Sequence, residues 1–130
     1  MSTMTGGCAC GAIRYRITAE PGFSFHCQCR QCQRSTGTGH ASLFVVPEES
    51  VTVTGRLKYF AQTADDGAMV SRGFCPSCGS PLLGRTTGSP DVVLVAAASL
   101  DEPARFWPQR VVFHASAQPW DHIDPDLPVS

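Results

Sequence analysis

A chain of 130 residues with a formal net charge of −1 has room for one ordinary domain and lacks the broad basic field that general nucleic-acid binding requires. Apolar residues make up 42 %, enough for a modest core, while twelve glycines and ten prolines impose many turns and short elements. The first seven residues carry no charged region followed by an apolar stretch, and the longest apolar run, Val92 to Ala98, is only strand-sized. No secretory signal or membrane span is therefore expected, and a cytoplasmic location is.

In chain order, Ala12 to Thr18 alternates apolar with polar residues, the period of a half-buried strand, and Pro21-Gly22 ends it. Ala41 to Val46 is an apolar run stopped by Pro47. Val51–Thr54 and Leu57–Phe60 flank Gly55-Arg56, which reads as a tight turn between two strands. Ala68 to Phe74 is a further strand that delivers Cys75. Val92 to Ser99 reads as a strand buried on both faces, and Val111 to His114 as a last short one. Asp65-Asp66-Gly67 and Thr86 to Pro90 are turns, and helical periodicity is weak throughout. After Pro119 the tail is polar and proline-rich, with Trp120 expected to anchor it. The pattern predicts one mainly β domain over 1–130, short of core and stapled by metal.

Seven cysteines fall in three groups: Cys8-Ala-Cys10, Cys27-Gln-Cys29-Arg-Gln-Cys32 and Cys75-Pro-Ser-Cys78. In a reducing compartment such clusters bind metal more often than they form disulfides, and an odd number cannot all pair. In Phe74-Cys75-Pro76-Ser77-Cys78-Gly79 the proline sets a turn dihedral and the glycine permits a positive one, a zinc-knuckle pattern. Cys8 and Cys10 can complete it, closing a structural site across some seventy intervening residues. Structural zinc contributes about 10 to 16 kcal/mol to folding, enough to decide whether a small turn-rich domain folds. Cys27, Cys29 and Cys32 then form a three-ligand site with an open position, the arrangement of catalytic zinc. A histidine (His26, His40, His114 or His122) would instead close it as a structural site. Spacing also allows the other partition, with Cys8, Cys10, Cys27 and Cys29 on one ion and Cys32, Cys75 and Cys78 on the other.

Three longer patterns carry a resemblance. They are Gly7-Cys8-x-Cys10-Gly11-x-x-x-Tyr15, Cys27-x-Cys29-x-x-Cys32-Gln33-Arg34-x-x-Gly37 and Phe74-Cys75-x-x-Cys78-Gly79. With Ser99-Leu100-Asp101, Pro119-Trp120 and Leu127-Pro128, the chain resembles the glutathione-dependent formaldehyde-activating (GFA) family along essentially its whole length. The resemblance implies a small zinc-stabilised, β-tent-like single domain. It implies Cys8, Cys10, Cys75 and Cys78 on a structural zinc, and Cys27, Cys29 and Cys32 on a second, catalytic-type zinc open to partial occupancy. The implied activity is carbon–sulfur lyase chemistry, joining a small thiol such as glutathione to an aldehyde such as formaldehyde. Gln28 departs from the histidine that many relatives carry between the first two cysteines of that group.

Matching metal ligands and turn formers carries over fold and zinc rather than substrate recognition. Arg30 and Arg34 lie in the segment where a guanidinium could meet substrate carboxylates. His26 and His40 are candidates for acid–base work. Ser35, Thr36 and Thr38 read as turn residues, and Trp107, Trp120 and Phe74 as core or rim. No catalytic side chain is assigned beyond the second zinc site. The expected partners are a small thiol and an aldehyde, with no nucleic acid or membrane. The competing readings are a non-catalytic zinc-stabilised binding module and a thiol redox sensor.

Overall fold

Met4, Tyr15, Ile17, Phe44, Val46, Val93 and Val95 are each all but fully buried, and within each strand they recur at every second residue. That period turns one face of each strand into a core. The computed structural model describes residues 3–130. Its strands are β1 (Met4–Gly7), β2 (Arg14–Ile17), β3 (Ser24–Cys27), β4 (Ala41–Pro47) and β5 (Val51–Thr54). They continue as β6 (Lys58–Thr63), β7 (Met69–Phe74), β8 (Pro81–Thr86), β9 (Val92–Ala96) and β10 (Arg110–Val112). A short helix, α1 (Arg30–Thr36), follows β3, and 3-10 turns occupy 48–50, 97–99, 103–105 and 114–116.

The strands form two sheets, a three-stranded one in the order β1-β2-β5 and a seven-stranded one in the order β10-β3-β4-β9-β8-β7-β6. Pairing is antiparallel except between β10 and β3. Met4, Tyr15 and Ile17 of the small sheet pack with Phe44, Val46, Val93 and Val95 of the large one in a single hydrophobic cluster. Burying each such side chain contributes about 1.5–3 kcal/mol. The opposite face of the large sheet stays open and forms the floor of a cavity. The chain is thus mainly β with short strands and little helix, as its turn-rich composition predicts.

Four expectations change. Val51–Thr54 and the strand after Gly55 do not pair: β5 joins β2 (Val53 opposite Tyr15), while β6 joins β7 (Lys58 opposite Phe74). Gly55 still turns the chain at φ +96°, but it hands it from one sheet to the other. The run 92–99 is a strand only to Ala96, with Val93 and Val95 in the core and Leu94 and Ala96 on the cavity. Trp120 does not anchor the tail, being 61 % exposed, and Trp107 is 79 % exposed. The tail is instead held by backbone pairing of Val111 with Pro128 and Ser130, and by Asp121. Among the described residues no helix is long and apolar enough to cross a membrane.

Candidate metal centres

Two turns of the same construction build the first cysteine group. Between β1 and β2, the Cys8 N–H donates to Ile13 O (3.1 Å) and the Gly11 N–H to Cys8 O (3.3 Å). Between β7 and β8, the Cys75 N–H donates to Ser80 O (3.1 Å) and the Gly79 N–H to Cys75 O (2.8 Å). Gly11 and Gly79 close these turns at φ +82° and +79°, where a side chain would strain the backbone. The Ala9 N–H donates to Ser80 Oγ (3.0 Å) and ties one turn to the other. All four sulfurs of Cys8, Cys10, Cys75 and Cys78 then lie within 4.8 Å of one another.

That geometry suits a tetrahedral ion. Zinc–sulfur bonds of about 2.3 Å place the sulfurs of a tetrahedron about 3.8 Å apart. Cys8 and Cys10 are separated by 3.6 Å, and Cys10 and Cys75 by 3.7 Å. Backbone donors already point at the sulfurs, from Ile13 to Cys8 (3.2 Å) and from Ser77 to Cys75 (3.4 Å), as thiolates require. The Ser80 hydroxyl and N–H, then the Cys10 N–H, draw Cys78 down to about 5. Cys10 is driven up to about 11, the Ala12 N–H opposing the neighbouring thiols and burial. Crowded sulfurs cannot all ionise without a cation among them.

The second group is held by a strand end and a helix start. Cys27 closes β3, Cys29 is the N-cap of α1 and Cys32 lies in its first turn; the Cys32 N–H donates to Cys29 Sγ at 3.3 Å. These three sulfurs also fall within 4.8 Å of one another. Hydrogen bonds from Cys27 and Cys32 lead the causes that lower Cys29 to about 2, with the Arg72 charge adding to them. Cys27 is pushed far upward by Cys29, Cys32 and its own burial.

The structure therefore separates the cysteines into four and three, and the alternative partition is not what the chain brings together. Among the described residues, no histidine joins either group. The His40 Nδ1–H donates to Asp121 (2.9 Å), the His114 Nδ1–H to Gln28 Oε1 (2.9 Å), His26 Nδ1 hydrogen-bonds with Ser42 Oγ (2.9 Å), and His122 is exposed. Gln28, only 2 % exposed, links this set by donating from Nε2 to Asp121 (3.0 Å). Burial raises Asp121, but the hydrogen bonds from Gln28 and His40 outweigh it and leave its pKa lowered. His26 is lowered, first by burial and then by the edge-on His40 ring 4.7 Å away. Gly39 is glycine for a local reason, since a Cβ there would lie 2.2 Å from Asp121 Cγ.

A cavity of about 1060 Å³ opens beside the second group, with Cys32 in its wall and Cys8 at its far side. The cation nearest the sulfurs is Arg72, which the sequence reading did not single out. Its Nη2 lies 3.8 Å from Cys32 Sγ, and its Nη1 donates to Gln62 (3.2 Å) and Gln31 (3.4 Å). The available signal was a charge sharing one strand face with Val70 and Phe74, all three of which line the cavity. Of the expected arginines, Arg34 lines the cavity and Arg30 hydrogen-bonds to Gln33. The hydroxyls of Ser35 and Thr36 donate back to Cys32 O and serve the helix.

Residues 3–116 match the sequence profile of the glutathione-dependent formaldehyde-activating enzyme family. The chain belongs to that family. A Halomonas elongata protein provisionally named a glutathione-dependent formaldehyde-activating enzyme is 26 % identical over 127 residues, 93 % of this chain and 81 % of the relative. The crystal structure of a Rhodobacter sphaeroides protein, a structural-genomics target, superposes with a TM-score of 0.62. It shares 20 % identity, covers 98 % of this chain and 100 % of its own, and thus shares the fold. The GFA profile ends at 116, so Asp121 reaches Gln28, the residue between Cys27 and Cys29, from outside the matched segment.

Proposed function

We propose that the chain is a zinc-dependent carbon–sulfur lyase of the glutathione-dependent formaldehyde-activating type, acting as one domain over 1–130. It would add a small thiol to an aldehyde and reverse that addition. Cys8, Cys10, Cys75 and Cys78 would hold a structural zinc, and Cys27, Cys29 and Cys32 a second one. When bound there, zinc supplies the Lewis acidity that holds a thiol as its thiolate.

In the net reaction a sulfur–carbon bond forms, the carbonyl π bond breaks, and the thiol proton ends on the new hydroxyl oxygen. This chain's residues would do three things. The cavity holds both reactants together, converting an encounter into a unimolecular step. Arg72, fixed by Gln31 and Gln62, offsets the negative charge of the cysteine sulfurs as an anionic reactant arrives. His40 lines the cavity with Nδ1 committed to Asp121, which leaves Nε2 to give or take the proton. His26 is the poorer choice, since burial and His40 hold its pKa down.

One observation carries the reading: a three-sulfur group, joined by no fourth ligand among the described residues, sets Cys32 in the wall of a large cavity. A binding module would be better served by a closed site. The test is exchange NMR of formaldehyde with a panel of thiols, glutathione included, comparing wild type with Cys29→Ser. Faster interconversion with wild type is expected for at least one thiol. Equal rates for every thiol, with both proteins folded, refute the enzyme reading.

A further inference from the structure

The cavity has two unlike sides. The α1 side, with the residues that follow it, presents Cys32, Arg34, Thr38 and His40. The floor is the open face of the seven-stranded sheet, with Phe60, Val70, Phe74, Leu94 and Ala96. Small residues keep that floor hollow: Gly84 lines it with no side chain, and a Cβ there would lie 3.7 Å from Leu94 Cβ. At about 1060 Å³ the space sits at the upper end of the range for small-molecule sites.

The charges are as informative as the shape. Arg72 is already engaged by Gln31, Gln62 and Cys32. Arg34 has no hydrogen-bond or ion-pair partner among the described residues. The acidic residue among those lining the cavity, Asp101, is taken by Arg14 and Thr5. A ligand carboxylate can meet Arg34, but an ammonium has no free carboxylate to meet, and a second carboxylate has no second free guanidinium. Charges laid unpaired over an apolar floor are unfavourable.

We infer that the thiol this cavity suits is an apolar one carrying a single anionic group and no ammonium, rather than a zwitterionic peptide. The inference rests on the thiol chemistry proposed for the three-cysteine group and narrows its substrate class. Cys32 and Arg34 both belong to α1 and both line the cavity, so sulfur and anion belong on the α1 side of it. The apolar chain then lies on the sheet, against Leu94 and Phe60.

Isothermal titration of the zinc-loaded full chain, under reducing conditions, tests this with 2-mercaptooctanoate, 2-mercaptoacetate and glutathione. 2-Mercaptooctanoate is expected to bind about ten-fold or more tighter than either of the others, because only it buries a run of methylenes beside the anion. Leu94→Gln should abolish its advantage over 2-mercaptoacetate, and Arg34→Gln should weaken both mercapto acids by a like factor. Phe60→Gln, at the exposed sheet edge, repeats the first comparison where Leu94→Gln folds poorly. Glutathione binding as tightly as 2-mercaptooctanoate, or a tail advantage that survives both floor variants, overturns the inference and leaves the thiol chemistry standing. Failure of all three thiols to bind overturns both.

Discussion

Gly39→Ala places one methyl group where the chain has no room for it. The new Cβ would lie 2.2 Å from Asp121 Cγ and 2.5 Å from its Cβ, distances real Cβ atoms do not tolerate, so the Asp121 carboxylate must move. Moving it strains its hydrogen bonds with His40 (2.9 Å) and Gln28 (3.0 Å). A hydrogen bond to a charged group contributes about 1.5–3 kcal/mol, and overpacking a tight site costs about 1–3 kcal/mol. Partial relaxation of the tail leaves a net destabilisation of about 2–4 kcal/mol. Near about 4 °C per kcal/mol for a chain of this size, that lowers the melting temperature by about 8–16 °C. The assay is urea unfolding of the metal-loaded protein, with Asp121→Gly as a second background. There the overlap is gone, and adding Gly39→Ala should cost less than about 1 kcal/mol. A Gly39→Ala protein within about 0.5 kcal/mol of wild type would refute the packing argument.

Three further outcomes follow from the same geometry. Cys75→Ser should abolish stable folding, whereas Cys29→Ser should leave a folded protein with one zinc fewer; equal damage from both, by metal analysis and circular dichroism, would contradict the assigned division of labour. Removing metal with a strong chelator in reducing buffer should lower the melting temperature by tens of degrees, on the scale of about 10 kcal/mol for a structural zinc, and an unchanged melt would count against it. The Arg14 guanidinium, then the Thr5 hydroxyl, hold Asp101 down to about 2, below its ordinary carboxylate value of 3.8. Its contribution to stability is therefore complete above about pH 5 and is lost as pH falls through 3.8 toward about 2. The difference in unfolding free energy between wild type and Asp101→Asn should shrink over that window and stay level above it.

What the sequence disclosed depended on how local each signal was. The turn at Gly79 and the strand at Arg14–Ile17 are written in adjacent residues and were legible. β1, with two glycines in four residues, and β3 (Ser-Phe-His-Cys) carry no strong alternation and owe their form to neighbours across the sheet. The helix α1 spans only seven residues, too few to show a period, and is set by the Cys29 cap and Gly37. Gly55-Arg56 looked like a hairpin because turn chemistry cannot reveal that its two strands find partners in different sheets. Arg72 and Asp121 were missed for a related reason, since their partners lie 40 and 93 residues away along the chain. Trp120 misled because a large aromatic near the terminus usually packs inward, while this one faces solvent.

In β9, Val93 and Val95 belong to the hydrophobic core, whereas Leu94 and Ala96 face the chamber beside Cys32. Odd and even positions of one five-residue strand thus answer to separate demands. Exchanges at 94 and 96 can retune which molecule is accommodated at small cost to the fold, while exchanges at 93 and 95 erode folding first. A lineage can drift toward new reactants along this strand without risking collapse.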